Sequence, residues 1–516
     1  MCAVLGLAMA PLVCAKPTCA SDTFSSIKLA NAEMLSITAN STAVELPELP
    51  KNEWPSNSTE TVPVCQVVIQ YTHPGWNDTI NTYVYLPVSG WNGRFVGVGG
   101  GGWSTGDVSN LAQPAAKGYS AVTTDGGHLL ANRQELDWAL TSPGNLNWYE
   151  LQNFAAVSLD DAATLGKAAT AAFYGREPKY SYFNGCSTGG RQGHMMAQRY
   201  ATQYDGIIAT ASAFNWDKFI VSEFYPQLVM NLLDYYPPLC ELNALTRAAI
   251  DACDSLDGVK DGVISDPELC KFDPKTVVGS SVECTGPPGT VKISEQAAEI
   301  ASATWYGPET EDGKSLWYGI GHAADLVGLA NTTCTSLTNC SSNPFAIARQ
   351  WLSSFVLQDH NADLGSLTRS DYSRLFRQSV HRFASVIGAA DADLTDFKKA
   401  GGKLISWHGT ADQLIPYNGS IDYFKRVLEL DSSATDYYRL FIAPGVGHCD
   451  GGAGWYPGSG FDALVKWVED DDAAPDTLYA ETVGTDEKRA VQLCLYPKQL
   501  SYVGGDANLA SSFTCT

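Results

Sequence analysis

One serine in this chain has neighbours that suit it for attack on a carbonyl carbon. Gly185-Cys186-Ser187-Thr188-Gly189-Gly190 holds the spacing G-x-S-x-G. Small residues on both sides permit a sharp, strained strand-to-helix turn that leaves the hydroxyl exposed. A serine hydroxyl is a weak nucleophile until a base takes its proton. Of the eight histidines, His448 in Pro444-Gly-Val-Gly-His448-Cys449 occupies a loop just after a late apolar run, where a base can be delivered. His194 falls on the helix after the turn and reads as packing, and His408 ends a strand. His73, His322, His360 and His381 lie outside the positions such a site requires. The imidazole also needs a carboxylate to hold its tautomer and stabilise its charge. Asp412, in Trp407-His-Gly-Thr-Ala-Asp412-Gln-Leu-Ile-Pro, follows a strand and precedes the His448 loop.

The chain order Ser187, Asp412, His448 matches the α/β-hydrolase arrangement. Cys186 precedes the nucleophile and Cys449 follows the base. If the serine and imidazole meet, their cysteine neighbours are drawn together, so a Cys186–Cys449 disulfide is expected to clamp turn to loop. Chain-entropy reasoning gives such a long loop at most about 5 kcal/mol. Two backbone amides must stabilise the oxyanion: that of Thr188 and one from the run Gly99-Gly100-Gly101-Gly102, with Gly101 favoured. That run has neither a P-loop nor a dinucleotide fingerprint, which argues against a nucleotide there.

A second constellation is Cys253-Asp254-Ser-Leu-Asp257-Gly-Val-Lys-Asp261-Gly-Val-Ile264. Three carboxylates among turn glycines suit a hard cation with oxygen ligands. The expected site is a structural Ca²⁺ held by Asp254, Asp257 and Asp261 with the carbonyls of Val259 and Val263, stapled by Cys253–Cys270. The spacing differs from an EF-hand.

Elements that position these residues are legible from periodicity. Strand-like runs start at Cys65, Asn81, Arg94 and Tyr119, each enriched in β-branched or aromatic residues. From Asn153 the period shifts to 3.6, predicting a helix that runs past Phe173 and ends at Gly175. Tyr180-Ser-Tyr-Phe-Asn is a short strand, followed by a helix over 192–200. Near Asn215 the alternation stops, and it resumes at Lys403-Leu-Ile-Ser-Trp and Arg439-Leu-Phe-Ile-Ala, before a core helix over 461–468. The expected organisation is an α/β-hydrolase core with a doubly wound, mostly parallel sheet, over residues 16–214 and 396–516. A lid domain at 215–395 interrupts it. The Ser/Thr-rich stretch up to Pro63 reads as a covering segment tied by Cys19–Cys65.

The chain has 516 residues, 17% of them charged, and a formal charge of −23. That balance repels nucleic acid and anionic membranes. No apolar stretch beyond the first residues is long enough to span a bilayer. The start, Met-Cys-Ala-Val-Leu-Gly-Leu-Ala-Met-Ala, reads as a secretory leader with cleavage near Ala15, although it lacks a basic n-region. Asn-x-Ser/Thr acceptors stand at Asn40, Asn57, Asn77, Asn331, Asn339 and Asn418. Of fourteen cysteines, removal of Cys2 and Cys14 with the leader leaves twelve, an even number compatible with a disulfide framework. All of this points to a secreted, extracellular glycoprotein; a homodimer is left open.

The paired motifs Cys186-Ser187 and His448-Cys449, with Asp412, Gly99-Gly-Gly-Gly-Trp103 and the Asp254–Val263 loop, resemble the tannase and feruloyl esterase family. The resemblance covers nearly the whole mature chain. It implies a serine esterase acting on aromatic acid esters, either hydroxycinnamates such as ferulate on plant cell-wall sugars or gallate in tannins. Bacterial members cleave a terephthalate monoester. It implies the same calcium ligands and no organic cofactor. The size of the chain and the lack of a dibasic site in the lid favour the feruloyl reading. Two departures stand out: Tyr200-Ala-Thr-Gln-Tyr lacks the usual proline, and no cysteine stands near Val291, which leaves Cys284 to pair with Cys240 only as a guess. Cys334–Cys340 and Cys494–Cys515 are the expected local bridges.

Overall fold

The β-branched and aromatic runs pair into one nine-stranded sheet: β1 (Glu33–Glu45), β2 (Thr61–Thr72), β3 (Ile80–Pro87), β4 (Arg94–Val98), β5 (Ser120–Thr124), β6 (Tyr180–Cys186), β7 (Gly206–Thr210), β8 (Lys403–Gly409) and β9 (Tyr438–Ala443). The computed structural model describes residues 18–46, 61–128, 136–470, 473–482 and 489–516. The leader, its cleavage point near Ala15 and the Asn57 acceptor lie outside them. Strand order is β1-β2-β3-β5-β4-β6-β7-β8-β9. The strands from β5 through β9 pair in parallel, while β1, β2 and β3 join antiparallel.

Alternate residues of the central strands enter two separate cores. Phe183, Ile207, Leu404 and Leu440 belong to one, and their neighbours Tyr182, Ile208, Ile405 and Phe441 to the other. Successive side chains on a strand point to opposite faces. Both faces are therefore covered, which is why these strands are apolar throughout instead of alternating. At about 25 cal/mol per Å² of apolar surface removed from water, this two-sided burial is the main force holding the platform together.

The structure changes two expectations. The segment before Pro63 is not only a cover: Glu33–Glu45 forms the edge strand β1, paired with β2 along its length. None of its residues is fully buried, so the alternation that marks a strand is absent from its sequence. The helix expected from Asn153 is two helices, α1 (Trp148–Ala155) and α2 (Val157–Tyr174), the second closed by Gly175 in the left-handed region. Arg191, fully buried, donates to the carbonyls of Phe154 and Ala155 and so stops α1 at its last turn. Between β7 and β8 none of the described residues joins the central sheet. That insertion contains helices and two short hairpins, Ser281–Thr285 with Pro288–Lys292 and Thr332–Ser336 with Asn339–Ser342.

Six disulfides staple the chain: Cys19–Cys65, Cys186–Cys449, Cys240–Cys284, Cys253–Cys270, Cys334–Cys340 and Cys494–Cys515. Asn40, Asn77 and Asn339 are exposed, and Asn331 and Asn418 are half-buried. No helix among the described residues is long and apolar enough to cross a membrane.

His73 has a structural place. Its ring sits 2.7 Å from Asp78 and 3.2 Å from Asp161, at the mouth of α2. Hydrogen bonds to Asp161 and Asp78 outweigh burial and lift its pKa to about 9. The folded value exceeds the ordinary one of about 6.5. The stabilisation is therefore complete below about pH 6.5 and is lost as pH rises through about 9. His73→Gln should cost about 3 kcal/mol at neutral pH by leaving two buried carboxylates unpaired. Urea denaturation read across pH should show that the deficit shrinks toward pH 9.

Candidate active site

Ser187 ends β6 and opens the helix α3 (Thr188–Arg199). Its backbone lies at φ 61°, ψ −122°, a region that a non-glycine residue occupies only under constraint. The constraint is visible. Ser187 N–H donates to Thr210 O of β7, and its carbonyl accepts from Arg191 and Ala213. The flanking glycines are required by contact. A Cβ at Gly185 would stand 2.5 Å from the Gly189 carbonyl carbon, and one at Gly190 would stand 2.4 Å from Thr210 O.

The acid and base come from the loops after β8 and β9. Asp412 is buried, and its Oδ1 accepts from the amides of Leu414 and Ile415 at 2.9 and 2.8 Å. Its Oδ2 lies 2.8 Å from His448 Nδ1. An ionised carboxylate can only accept, so Nδ1 carries the proton and Nε2 is left unprotonated, the state a general base requires. His448 N–H donates to Gln413 Oε1 at 3.0 Å, fixing the loop. Cys186–Cys449 brings the two loops within 5.9 Å at Cα, and Ser187 and His448 border the same recess.

Electrostatics suit a base. Burial alone would raise the Asp412 pKa, but the charges and hydrogen bonds of His448 and His408 hold it below the carboxylate range. Burial pulls the His448 value down; the Asp412 charge and hydrogen bond, with Asp450 adding to them, raise it above the usual imidazole value. A general base works only when neutral. kcat/KM should therefore fall on the acid side through a pKa above about 6.5, and Asp450→Asn should move that limb to lower pH. An unmoved limb in a pH–rate profile would reject this role for Asp450.

His408 was set aside in the sequence as a strand-end residue. It is a buried second partner of the acid: Nε2 lies 3.0 Å from Asp412 Oδ2 and Nδ1 lies 2.7 Å from Ser420 Oγ. The signal was its spacing, four residues before Asp412 with a glycine between. His194 packs as expected; burial lowers its pKa to about 4, and its ring lies near Gly190 O and the Tyr438 hydroxyl.

The glycine run is tied to α3 through Gly189 N–H to Gly100 O and Thr188 Oγ1 to Gly102 O. Gly99 N–H donates to Asn184 O and Gly100 N–H to Gln192 Oε1, which removes both as oxyanion donors. Gly102, at φ 56°, borders the recess together with Thr188. Residues 101 and 102 are thus the part of the run able to serve.

The acidic loop is stapled by Cys253–Cys270. Asp254 Oδ1 accepts from Asp261 and Gly262 amides, Asp257 from Val259 and Ser265, and Asp261 from Val263. Arg489 donates to Asp261 Oδ2 at 2.7 Å. Among the described residues no group of three or more His, Cys, Asp or Glu side chains converges on one point as a metal cage. Burial, and repulsion from a neighbouring aspartate, hold the Asp257 and Asp261 carboxyls above their usual range. Arg489 pairs with Asp261, so the three carboxylates of the loop remain a net-negative, oxygen-rich set whose chemistry suits a divalent cation.

Residues 65–516 match the family model described as tannase and feruloyl esterase. A probable feruloyl esterase of Arthroderma benhamiae is 40% identical over 94% of this chain and 91% of its own length. A tannase of Aspergillus oryzae is 28% identical over 94% and 90%. The solved tannin acyl hydrolase from Aspergillus niger superposes with a TM-score of 0.86 at 27% identity, over 96% of this chain and 95% of that one. With the strained serine, the His448–Asp412 pair and the disulfide between their loops, these likenesses show that the chain belongs to the tannase and feruloyl esterase family of carboxylic ester hydrolases.

Proposed function

We propose that this enzyme hydrolyses hydroxycinnamoyl esters such as feruloyl groups on plant cell-wall sugars. The observation that carries the reading is the recess at Ser187 and His448. Trp216, Phe219, Phe345 and Ile347 are among the residues that wall it. An aromatic acyl group can stack and bury there. The 40% identity to a probable feruloyl esterase supports the same choice. Ser187 attacks the ester carbonyl as His448 Nε2 takes its proton. The oxyanion rests on the Thr188 amide and one amide of Gly101 or Gly102. His448 returns the proton to the leaving alcohol, then activates water to release the acid. The disulfide keeps nucleophile and base in register. The twelve bridged cysteines and exposed acceptor asparagines support export to an oxidising, extracellular setting.

The likeness in shape to a tannin acyl hydrolase keeps a galloyl ester as the second reading. Turnover of methyl ferulate, methyl caffeate and methyl gallate decides between them. Preference for the cinnamates supports the proposal, and preference for gallate replaces it with tannase action on the same machinery.

The acidic loop would hold a structural Ca²⁺ through Asp254, Asp257, Asp261 and the carbonyls of Val259 and Val263. Bound there, the ion would neutralise the charge of the loop carboxylates. EDTA should lower Tm and added Ca²⁺ restore it, with Asp257→Asn insensitive to both. A Tm unmoved by chelator, with no metal found by elemental analysis, rejects the site.

A further inference from the structure

One wall of the catalytic recess carries a carboxyl that the mechanism does not use. Glu223 follows the helix Trp216–Ser222 as its C-terminal cap. It is 2% exposed, and its Oε2 is buried without any hydrogen-bond partner. It borders the recess that holds Ser187 and His448. With Leu414 it also borders a second cavity, which Ser187 and His448 do not touch. Glu223 thus belongs to the wall that the two cavities share.

An unpartnered buried carboxyl weakens the free protein, because the water it lost is not replaced. Its surroundings also disfavour ionisation. The site is apolar, the helix presents its negative end there, and the Asp412 charge adds repulsion; burial is the larger cause and pushes the Glu223 pKa well up. A neutral carboxyl can donate and accept together. A phenolic hydroxyl complements it on both counts; of the other recess side chains Phe219, Ile220, Phe345 and Ile347 offer only apolar contact, and Trp216 Nε1, also buried without a partner, can only donate.

We infer that the Glu223 carboxyl is the polar anchor of the acyl recess and takes a hydroxyl on the substrate's aromatic ring as its hydrogen-bond partner. This rests on the aromatic-ester reading and names the part of the substrate that the recess selects. A site built around a buried polar group rejects analogues that leave it unpaired. Esters of unsubstituted aromatic acids should therefore be poor substrates even though they fit.

The test uses the full chain and two pairs of methyl esters at mildly acid pH: cinnamate with 4-hydroxycinnamate, and benzoate with 4-hydroxybenzoate. Wild type should show kcat/KM about 10- to 100-fold higher for the hydroxylated member of the pair it accepts. Glu223→Leu should abolish that preference by slowing the hydroxylated ester and sparing the plain one. Glu223→Gln, which can still pair, should retain most of it. Equal rates within the accepted pair of wild type overturn the anchor without needing a variant that folds, and leave the feruloyl reading intact if the cinnamates are the pair accepted. A preference that survives in Glu223→Leu also overturns it. Preference confined to the benzoates, and lost in Glu223→Leu, supports the anchor while overturning the feruloyl reading. Turnover of none of the four overturns both.

Discussion

Replacing Ser187 with alanine should lower kcat for an ester substrate by about 10⁶-fold, with Tm little changed. The size follows from the two-step chemistry. Without Oγ no acyl-enzyme forms, and only the oxyanion amides and the binding recess remain to assist water. Stability should hold because the hydrogen bonds that fix this turn are made by the backbone: Ser187 N–H to Thr210 O, and Ser187 O from Arg191 and Ala213. The Cys186–Cys449 bridge and the Gly185 and Gly190 contacts are untouched. Steady-state turnover with calorimetry on the same samples checks both halves. Retention of more than about a hundredth of wild-type kcat would remove Ser187 from the mechanism and direct attention to another nucleophile.

Asp412→Asn should lower kcat by about 10⁴-fold with a modest change in KM. The asparagine oxygen can still accept from the Leu414 and Ile415 amides, which now bond Oδ1. The amide nitrogen then faces His448 Nδ1 and His408 Nε2, which share Oδ2 in the native protein. Two rings that donated must now accept, or turn away. His448 would carry its proton on Nε2, where the base is needed, so the loss comes from the wrong tautomer. Asp412→Ala separates this from collapse: it abolishes the amide contacts as well and should lower Tm, whereas Asp412→Asn should not. A kcat within tenfold of wild type in Asp412→Asn would show that the carboxylate does not orient the base.

The reach of sequence reasoning differed between kinds of residue. The strands at 94, 180, 403 and 439 were legible because both faces of the sheet are buried there, which forces apolar β-branched and aromatic runs, and those at 65 and 81 because buried positions alternate with half-buried ones. Edge strand β1 was not, since its side chains are exposed or only half-buried, with Met34, Ile37 and Ala39 resting against the core. The break between α1 and α2 was hidden because its cause, Arg191, lies more than thirty residues away in sequence.

The candidate chemistry was legible in short stretches of the chain. G-x-S-x-G, the order Ser187, Asp412, His448 and the cysteines flanking the first and last of them point to a nucleophile, its base and the clamp between their loops, and the clamp is formed. Turn geometry and bond-forming side chains are local properties, written in adjacent letters. Which remote groups converge on these residues became visible in the folded chain. The fold set His408 on the Asp412 oxygen that His448 also uses, brought Gly102 beside Thr188 and placed Glu223 in the wall of the recess. The last of these depends on how the segment inserted between β7 and β8 packs against the core. No pattern within one segment encodes a contact between segments that meet only when the chain closes.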